Sequence, residues 1–202
     1  MSVLIEKDTP LTTDEKRMFA YFGEGAKIRP PFRVLNPQRI CIGDRTSIRE
    51  GAYIHAYEDT TDLMQYIDQR FRQDFRRDDY QFNSRIVIGE ENQIGRFLLM
   101  SCTSSIEFGS NVVLSERVFI GDNNHTFSHP YVPIMQQPNK RGTALRVGRG
   151  SWIGVGAALI QGASLGLNCV VGANAVVNAV FPDHSVVGTE PARLLYRRHE
   201  VQ

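Results

Sequence analysis

The stretch 147-VGRGSWIGVGAALIQGASLGLNCVVGANAVV-177 decides how the rest of the chain is read. An aliphatic residue returns every six positions: Val147, Ile153, Leu159, Leu165, Val171 and Val177. The residues four further on, Ser151, Ala157, Ala163, Cys169 and Ala175, are all small, and Gly148, Gly154, Gly166 and Gly172 directly follow four of the aliphatic positions. A period of six is not helical, because 3.6 does not divide it, and two-residue alternation does not produce it either. It suits a β-solenoid with triangular coils. Each six-residue unit makes a short strand and a turn, with the bulky residue inside and the small one at a tight corner.

The same rhythm runs upstream with interruptions. Ile42, Ile48 and Ile54 make one coil, Ile88, Ile94 and Met100 a second, and Phe108, Leu114 and Ile120 a third. Val147, Ile153 and Leu159 make the fourth, and Leu165, Val171 and Val177 the fifth. The register slips by two residues around Glu107, between Ile106 and Phe108. Stacked coils bury one continuous core, so about five of them make a stable all-β domain. The expected organisation is an N-terminal helical or extended segment over 1–33, a solenoid over 34–182, and a C-terminal segment over 183–202. Within the first, 13-TDEKRMFAYFGEGAKI-28 reads as a short capped helix.

Bulk properties exclude several alternatives. The chain has 202 residues, 42% of them hydrophobic and 22% charged, with a formal net charge of +1. That balance points to no nucleic-acid or membrane-surface partner. The start, MSVLIEKDTP, has neither a basic nor an apolar leader region, and no window is long and apolar enough for a membrane span. Cys41, Cys102 and Cys169 are odd in number and scattered, which fits small buried hydrophobes in a reducing cytoplasm.

Two insertions leave the rhythm, one over 55–85 and one over 126–146. The first begins directly after Ile54 and the second after the hexad of Ile120, and both residues fall in the column Ile54, Met100, Ile120, Leu159, Val177. Both insertions are therefore expected at one edge of the prism, on the order of 10 Å apart at the ~4.8 Å spacing of paired strands. Loops on a rigid scaffold are where function concentrates, which makes this edge the candidate site. In the first insertion, Leu63, Tyr66, Ile67 and Phe71 recur at helical spacing. Its arginines, Arg70, Arg72, Arg76 and Arg77, suit an anionic or hydroxyl-rich sugar, but the insertion's acids and bases nearly cancel, which favours a solvated helix packed against a neighbouring subunit.

The second insertion opens at 119-FIGDNNHTFSHPYVPI-134. His125 closes the hexad of Ile120 and is expected on an outward turn at the shared edge, with Ser105 one coil below and Ser164 one coil above. His129 belongs to the loop. A histidine so placed suits removal of a proton from a hydroxyl near neutral pH. Asp122 can orient the ring or be a solvated turn residue. His125 with His129 is short of the three or four ligands that a zinc site needs, so no metal is expected. His55 lies beside the same edge, while His184 and His199 have no evident partner.

The hexad run together with 188-GTEPARLL-195 resembles the hexapeptide-repeat acyltransferases, and within them the maltose, galactoside and polysaccharide O-acetyltransferases. The resemblance implies a left-handed parallel β-helix of about five coils with two protruding loops, a short N-terminal helix and a C-terminal helix. It implies a homotrimer with active sites at the subunit interfaces and acetyl-CoA as the donor. The family's catalytic histidine stands where a loop departs, and GDNNH is similar to the Asp-x-x-His of polysaccharide-modifying members, so the resemblance makes His125 the general base. By position it also assigns Trp152, Gly154, Val155, Gly172 and Ala173 to the coenzyme groove and Arg193, in GTEPAR, to coenzyme phosphate. Arg76 and His129 fall on the acceptor side.

Two departures shape the expected acceptor. The segment 96-RFLLMSCTSS-105 lacks the family's acceptor-holding Asn, and the N-terminal segment differs from that of maltose-type enzymes. The reading is therefore O-acetylation of a sugar hydroxyl on a polysaccharide (lipopolysaccharide or capsule) or a nucleotide sugar. N-acetylation of an amino sugar, a metal-binding β-helical hydratase and a non-catalytic scaffold are the alternatives.

Overall fold

The computed structural model describes residues 3–58, 81–137 and 139–190. The strands form three seven-stranded sheets, which are the three faces of a prism. The aliphatic columns of the sequence are the pairing registers of those sheets. On the first face Phe22, Ile42, Ile88, Phe108, Val147, Leu165 and Phe181 stack in parallel. On the second face the column is Ile28, Ile48, Ile94, Leu114, Ile153, Val171 and Val187. The third carries Val34, Ile54, Met100, Ile120, Leu159 and Val177. Nearly all of these side chains are buried, and together they form one core along the prism axis.

The solenoid is longer than the expected five coils over 34–182. A further coil precedes them, made by Tyr21–Phe22, Lys27–Ile28 and Phe32–Leu35, and two strands, Val180–Phe181 and Val186–Val187, follow them. Phe22, Ile28 and Val34 keep the six-residue spacing, so the first boundary belongs ahead of residue 21. The expected N-terminal helix is present but short, Thr13–Arg17, with a capping box between Thr12 and Glu15. A strand at Leu4–Lys7 runs antiparallel to Phe32–Leu35. Ile5, Leu11 and Phe19 from this segment are buried in the core at that end of the prism. The expected C-terminal helix, Arg193, and the helical stretch with Arg70, Arg72, Arg76 and Arg77 lie outside the described residues.

Why a hexad turns a corner is visible in the backbone. Gly150, Gly156, Gly162, Asn168 and Asn174 take positive φ at successive corners, where glycine and asparagine are tolerated best. The glycines directly after the aliphatic positions serve a different need. A Cβ on Gly154 would come within 2.7–2.9 Å of the backbone of Val171–Ala173 in the next coil. The small residues four positions on, Ser151, Ala157, Ala163, Cys169 and Ala175, are all buried. In earlier coils the same position holds Asn92, whose Oδ1 accepts from Val112 N at 2.6 Å. Its amide donates to the carbonyls of Gly89 and Gly109 at 3.1 and 3.0 Å. A polar residue is accommodated there because the corner carbonyls of two coils need donors.

Every irregularity of the rhythm falls on one edge. Passage from the first face to the second, and from the second to the third, always keeps the hexad. The step from the third face back to the first varies: Val34 to Ile42, Ile54 to Ile88, Met100 to Phe108, Ile120 to Val147, Leu159 to Leu165 and Val177 to Phe181. The two-residue slip near Glu107 is one instance. This edge alone absorbs length, and both long insertions leave from it, with Ala52–Ala56 leading into the first and Phe119–Gly121 into the second.

Candidate functional site

The second insertion begins earlier than residue 126. After Gly121 the chain leaves the coil, and Asn124–His125 pairs antiparallel with Asn139–Lys140, so that Asn124 faces Lys140 and His125 faces Asn139. The chain rejoins the first face at Leu145–Val147. His125 therefore does not close a coil turn. It lies on the outgoing limb of a two-stranded arm projecting from the variable edge, exposed to solvent. Extended backbone fits here because the arm's own cross-strand pairing satisfies it once the coil's ladder has ended.

A cleft of about 290 Å³ opens beside the arm, lined by Asn124, His125, Thr126, Phe127, Ser128, Lys140 and Gln161. The coil above contributes Gln161, just beyond Ile160, which pairs with Gly121. The arm itself supplies the other six residues. The cleft thus gathers an imidazole, an ammonium group, amides and hydroxyls beside the exposed ring of Phe127. Such a mixture suits a polyhydroxylated ligand, whose ring faces are apolar and whose edges donate and accept hydrogen bonds.

His129 is half-buried in the loop and is not among the residues lining this cleft. Its backbone is tied down by Gln137, a buried side chain. The Gln137 amide donates to the carbonyls of His129 and Val132 at 3.1 and 2.8 Å, and its Oε1 accepts from His129 N at 3.3 Å. Gln137 thus organises the tip of the insertion, and an isolated Gln in a loop carries no signal for that role.

Ser105 and Ser164 do not flank the imidazole. Ser105 pairs with Arg85, and Ser164 with Arg146, on the first face. A hexad count placed them beside His125 only because it continued the coil's register into residues that have left the coil.

Asp122 is not solvated, and its carboxylate bonds the coil below rather than the imidazole. It is fully buried at the root of the arm. One carboxylate oxygen accepts from Thr103 N at 2.6 Å and Thr103 Oγ1 at 3.0 Å. The other accepts from Ser104 N at 2.8 Å and lies 3.4 Å from the Cys102 sulfur. Burial, followed by the adjacent carboxylate, pushes the Cys102 thiol well above its ordinary range and leaves it an unreactive thiol. Next to Asp122, the Asn123 amide donates to Ser101 Oγ at 2.7 Å.

One coil further down, His55 occupies the same margin of the third face, paired across from Ser101. It is buried, with its ring stacked on Tyr57 at 3.6 Å between centroids. Burial, then the charge of Arg33, pushes its pKa down to about 4. His55 is thus a neutral packed ring at neutral pH and does not line the cleft.

The residues assigned to the coenzyme by resemblance lie elsewhere on the prism. Trp152 stands exposed on the second face and donates from Nε1 to Ser115 Oγ at 3.1 Å. Gly154, Val155, Gly172 and Ala173 form the corner between the second and third faces. That corner and the His125 arm occupy opposite margins of the third face, roughly 20 Å apart for six extended residues at ~3.3 Å each. A single chain does not bring the two together. Among the described residues, no three His, Cys, Asp or Glu side chains gather as metal ligands would. No helix among them is long and apolar enough to cross a membrane.

No family model matches the chain. A Mycobacterium tuberculosis protein named as a probable acetyltransferase is 28% identical over 171 residues, covering 83% of this chain and 54% of the relative. WbbJ of Escherichia coli K12, named for lipopolysaccharide biosynthesis O-acetyl transfer, is 27% identical over 133 residues, covering 60% of this chain and 66% of its own length. The chain therefore spans about half of the first relative and about two thirds of the second. Among solved structures, the N-acyltransferase AntD of Bacillus cereus, in complex with dTDP and 3-hydroxybutyryl-CoA, superposes with a TM-score of 0.67 at 17% identity, covering 96% of this chain and 92% of AntD. The hexapeptide-repeat acetyltransferase VCA0836 of Vibrio cholerae gives 0.52 at 21% identity, covering 90% of this chain and 75% of that protein. The chain folds as a left-handed parallel β-helix, the fold it shares with AntD and VCA0836, and its sequence relatives are named as acetyltransferases.

Proposed function

We propose that the chain is an acetyl-CoA-dependent acetyltransferase acting on a sugar hydroxyl, with His125 as general base. The observation that carries the reading is the cleft at the variable edge, where His125 stands beside Lys140, Gln161 and Phe127. Sequence relatives named for acetyl transfer support the reaction class, and WbbJ supports a saccharide acceptor.

In this reading the acceptor hydroxyl lies within hydrogen-bond reach of the His125 imidazole, which takes its proton as the oxygen attacks the thioester carbonyl. The C–O bond forms, the tetrahedral oxyanion collapses, and the C–S bond breaks. The imidazolium returns its proton to the leaving thiolate, so no covalent enzyme intermediate is required. Lys140, Gln161 and backbone N–H groups of the neighbouring coil provide donors for the oxyanion and for the acceptor's other hydroxyls. The exposed Phe127 offers a platform for a sugar ring.

The donor groove belongs to a second copy of the chain. Gly154, Val155, Gly172 and Ala173 sit across the third face from His125, so one subunit would offer the histidine and its neighbour the corner. An outward column on that face, Tyr53, Leu99, Phe119, Ala158 and Val176, is rich in apolar surface that a neighbour would cover. We take the assembly to be a homotrimer working in the cytoplasm, where acetyl-CoA is made.

A second reading, N-acylation of a nucleotide-linked amino sugar, draws on AntD, whose complex with dTDP-4-amino-4,6-dideoxyglucose and coenzyme A superposes with a TM-score of 0.64. An assay separates the two readings. The protein is incubated with acetyl-CoA and a panel of nucleotide sugars, amino sugars and deacetylated polysaccharides, and free thiol is followed. Thiol release that requires a hydroxyl-only saccharide supports O-acetylation. Release with amino sugars alone transfers the proposal to N-acylation, and no release with any member of the panel sinks both. Sedimentation of the same preparation as a monomer would remove the shared-site arrangement.

A further inference from the structure

We infer that Asp122 is a positioning residue for His125, acting as a buried brace at the root of the arm that carries it. The inference rests on the reading of His125 as the base, and it supplies what holds an exposed imidazole in place. Asp122 immediately follows the last residue of its coil strand, three positions ahead of His125. It is not among the residues lining the cleft, and its carboxylate grips the turn Cys102–Ser104 of the coil below through Thr103 N, Thr103 Oγ1 and Ser104 N. Among the described residues its charge is met by these donors and no cation lies within ion-pair reach, an arrangement that demands full hydrogen bonding.

The same Thr103 hydroxyl reaches the other limb of the insertion, where Gly142 N donates to Thr103 Oγ1 at 3.0 Å. One side chain from the solenoid thus bonds both limbs, the outgoing one through the Asp122 carboxylate and the returning one through the Gly142 amide. The limbs touch at this level, since a Cβ on Gly142 would collide with the carbonyl of Asp122. Above the brace, pairing of Asn124–His125 with Asn139–Lys140 carries the constraint to the imidazole and to Lys140. Asp122, Thr103 and Gly142 therefore set the height and direction of the imidazole and of the Lys140 ammonium group without entering the cleft.

Three variants test the brace: Asp122→Asn, Thr103→Val and Thr103→Ser. Thr103→Val leaves the carboxylate with both backbone donors and removes only the hydroxyl link, so the fold is expected to persist even if Asp122→Asn does not accumulate. Each variant is followed by thermal melting, by trypsin cleavage at Lys140 and Arg141, and by the imidazole C–H resonances of His125, assigned with His125→Ala. Thr103→Val should keep its melting temperature within a few degrees. It should speed cleavage at Lys140 and Arg141 about tenfold or more, because both hydrogen bonds of the hydroxyl are lost, and displace the His125 resonances. Thr103→Ser should restore both. With an acceptor from the panel, Thr103→Val should lower kcat while leaving KM for acetyl-CoA unchanged, and should have no further effect in a His125→Ala background. Unchanged cleavage and unchanged His125 resonances in Thr103→Val overturn the brace. Full turnover by His125→Ala overturns the base assignment and leaves the proteolysis and resonance results to decide the brace independently.

Discussion

Lowering the pH from 7 towards 4 should destabilise the protein through His55. The ring is buried between Tyr53, Tyr57 and Arg33, and it holds a proton only below about pH 4, whereas an unfolded histidine does so below about 6.5. Because the folded pKa is depressed, the folded state binds fewer protons than the unfolded one between these values. Stability is therefore complete above about pH 6.5 and falls as the pH drops through the window, by up to about 1.4 kcal/mol per pH unit. The full shift is worth about 3 kcal/mol, of which about 2 kcal/mol should be lost by pH 5. Carboxylates titrate in the same range, so the measurement is a difference between wild type and His55→Phe. Both are unfolded in urea at pH 7 and pH 5, at one fixed protein concentration because association contributes to stability. The wild type should lose about 2 kcal/mol more than the variant over this interval. Identical losses would refute the claim that the ring is held neutral by burial.

Two further predictions follow from the corners. Gly154→Ala should cost about 1–3 kcal/mol, because the new Cβ meets backbone of the next coil at 2.7–2.9 Å. Gly172→Ala, whose Cβ would meet its nearest neighbours at 3.5 Å, should stay within about 0.5 kcal/mol, and equal effects in urea unfolding would contradict the stacking argument. Asn92→Ala should cost about 2–4 kcal/mol, because Val112 N and the carbonyls of Gly89 and Gly109 lose a buried partner; a loss below about 1 kcal/mol would mean that water replaces the amide.

The prism was legible in the sequence because each hexad encodes its own strand and corner. The columns read from Ile42 through Val177 are the pairing registers of the sheets. The first coil, Phe22–Ile28–Val34, was obscured by the capped helix at Thr13–Arg17 that runs almost into it, so that one segment carries two kinds of signal. The shared edge of the two insertions was also readable, since a loop can leave a solenoid only where the column says the strand has ended.

The geometry of the site was less legible. Counting by six fails once the chain leaves the coil, which is why Ser105 and Ser164 were placed beside His125. Lys140 and Gln161 reach the cleft through an antiparallel arm and a neighbouring coil, neither of which has a local sequence signature. Asp122 reads as a turn residue in the sequence and becomes a buried brace only when the turn Cys102–Ser104 stacks beneath it.

The central claim is that the arm at the variable edge puts the chemistry on His125 and leaves His129 to the loop. The most direct test compares His125→Ala and His129→Ala for acetyl transfer from acetyl-CoA at saturating acceptor, with melting curves confirming that both are folded. Loss of general-base catalysis should lower kcat of His125→Ala by about 10²–10⁴-fold, while His129→Ala keeps kcat within about tenfold of wild type. An active His125→Ala beside an inactive His129→Ala would contradict the account.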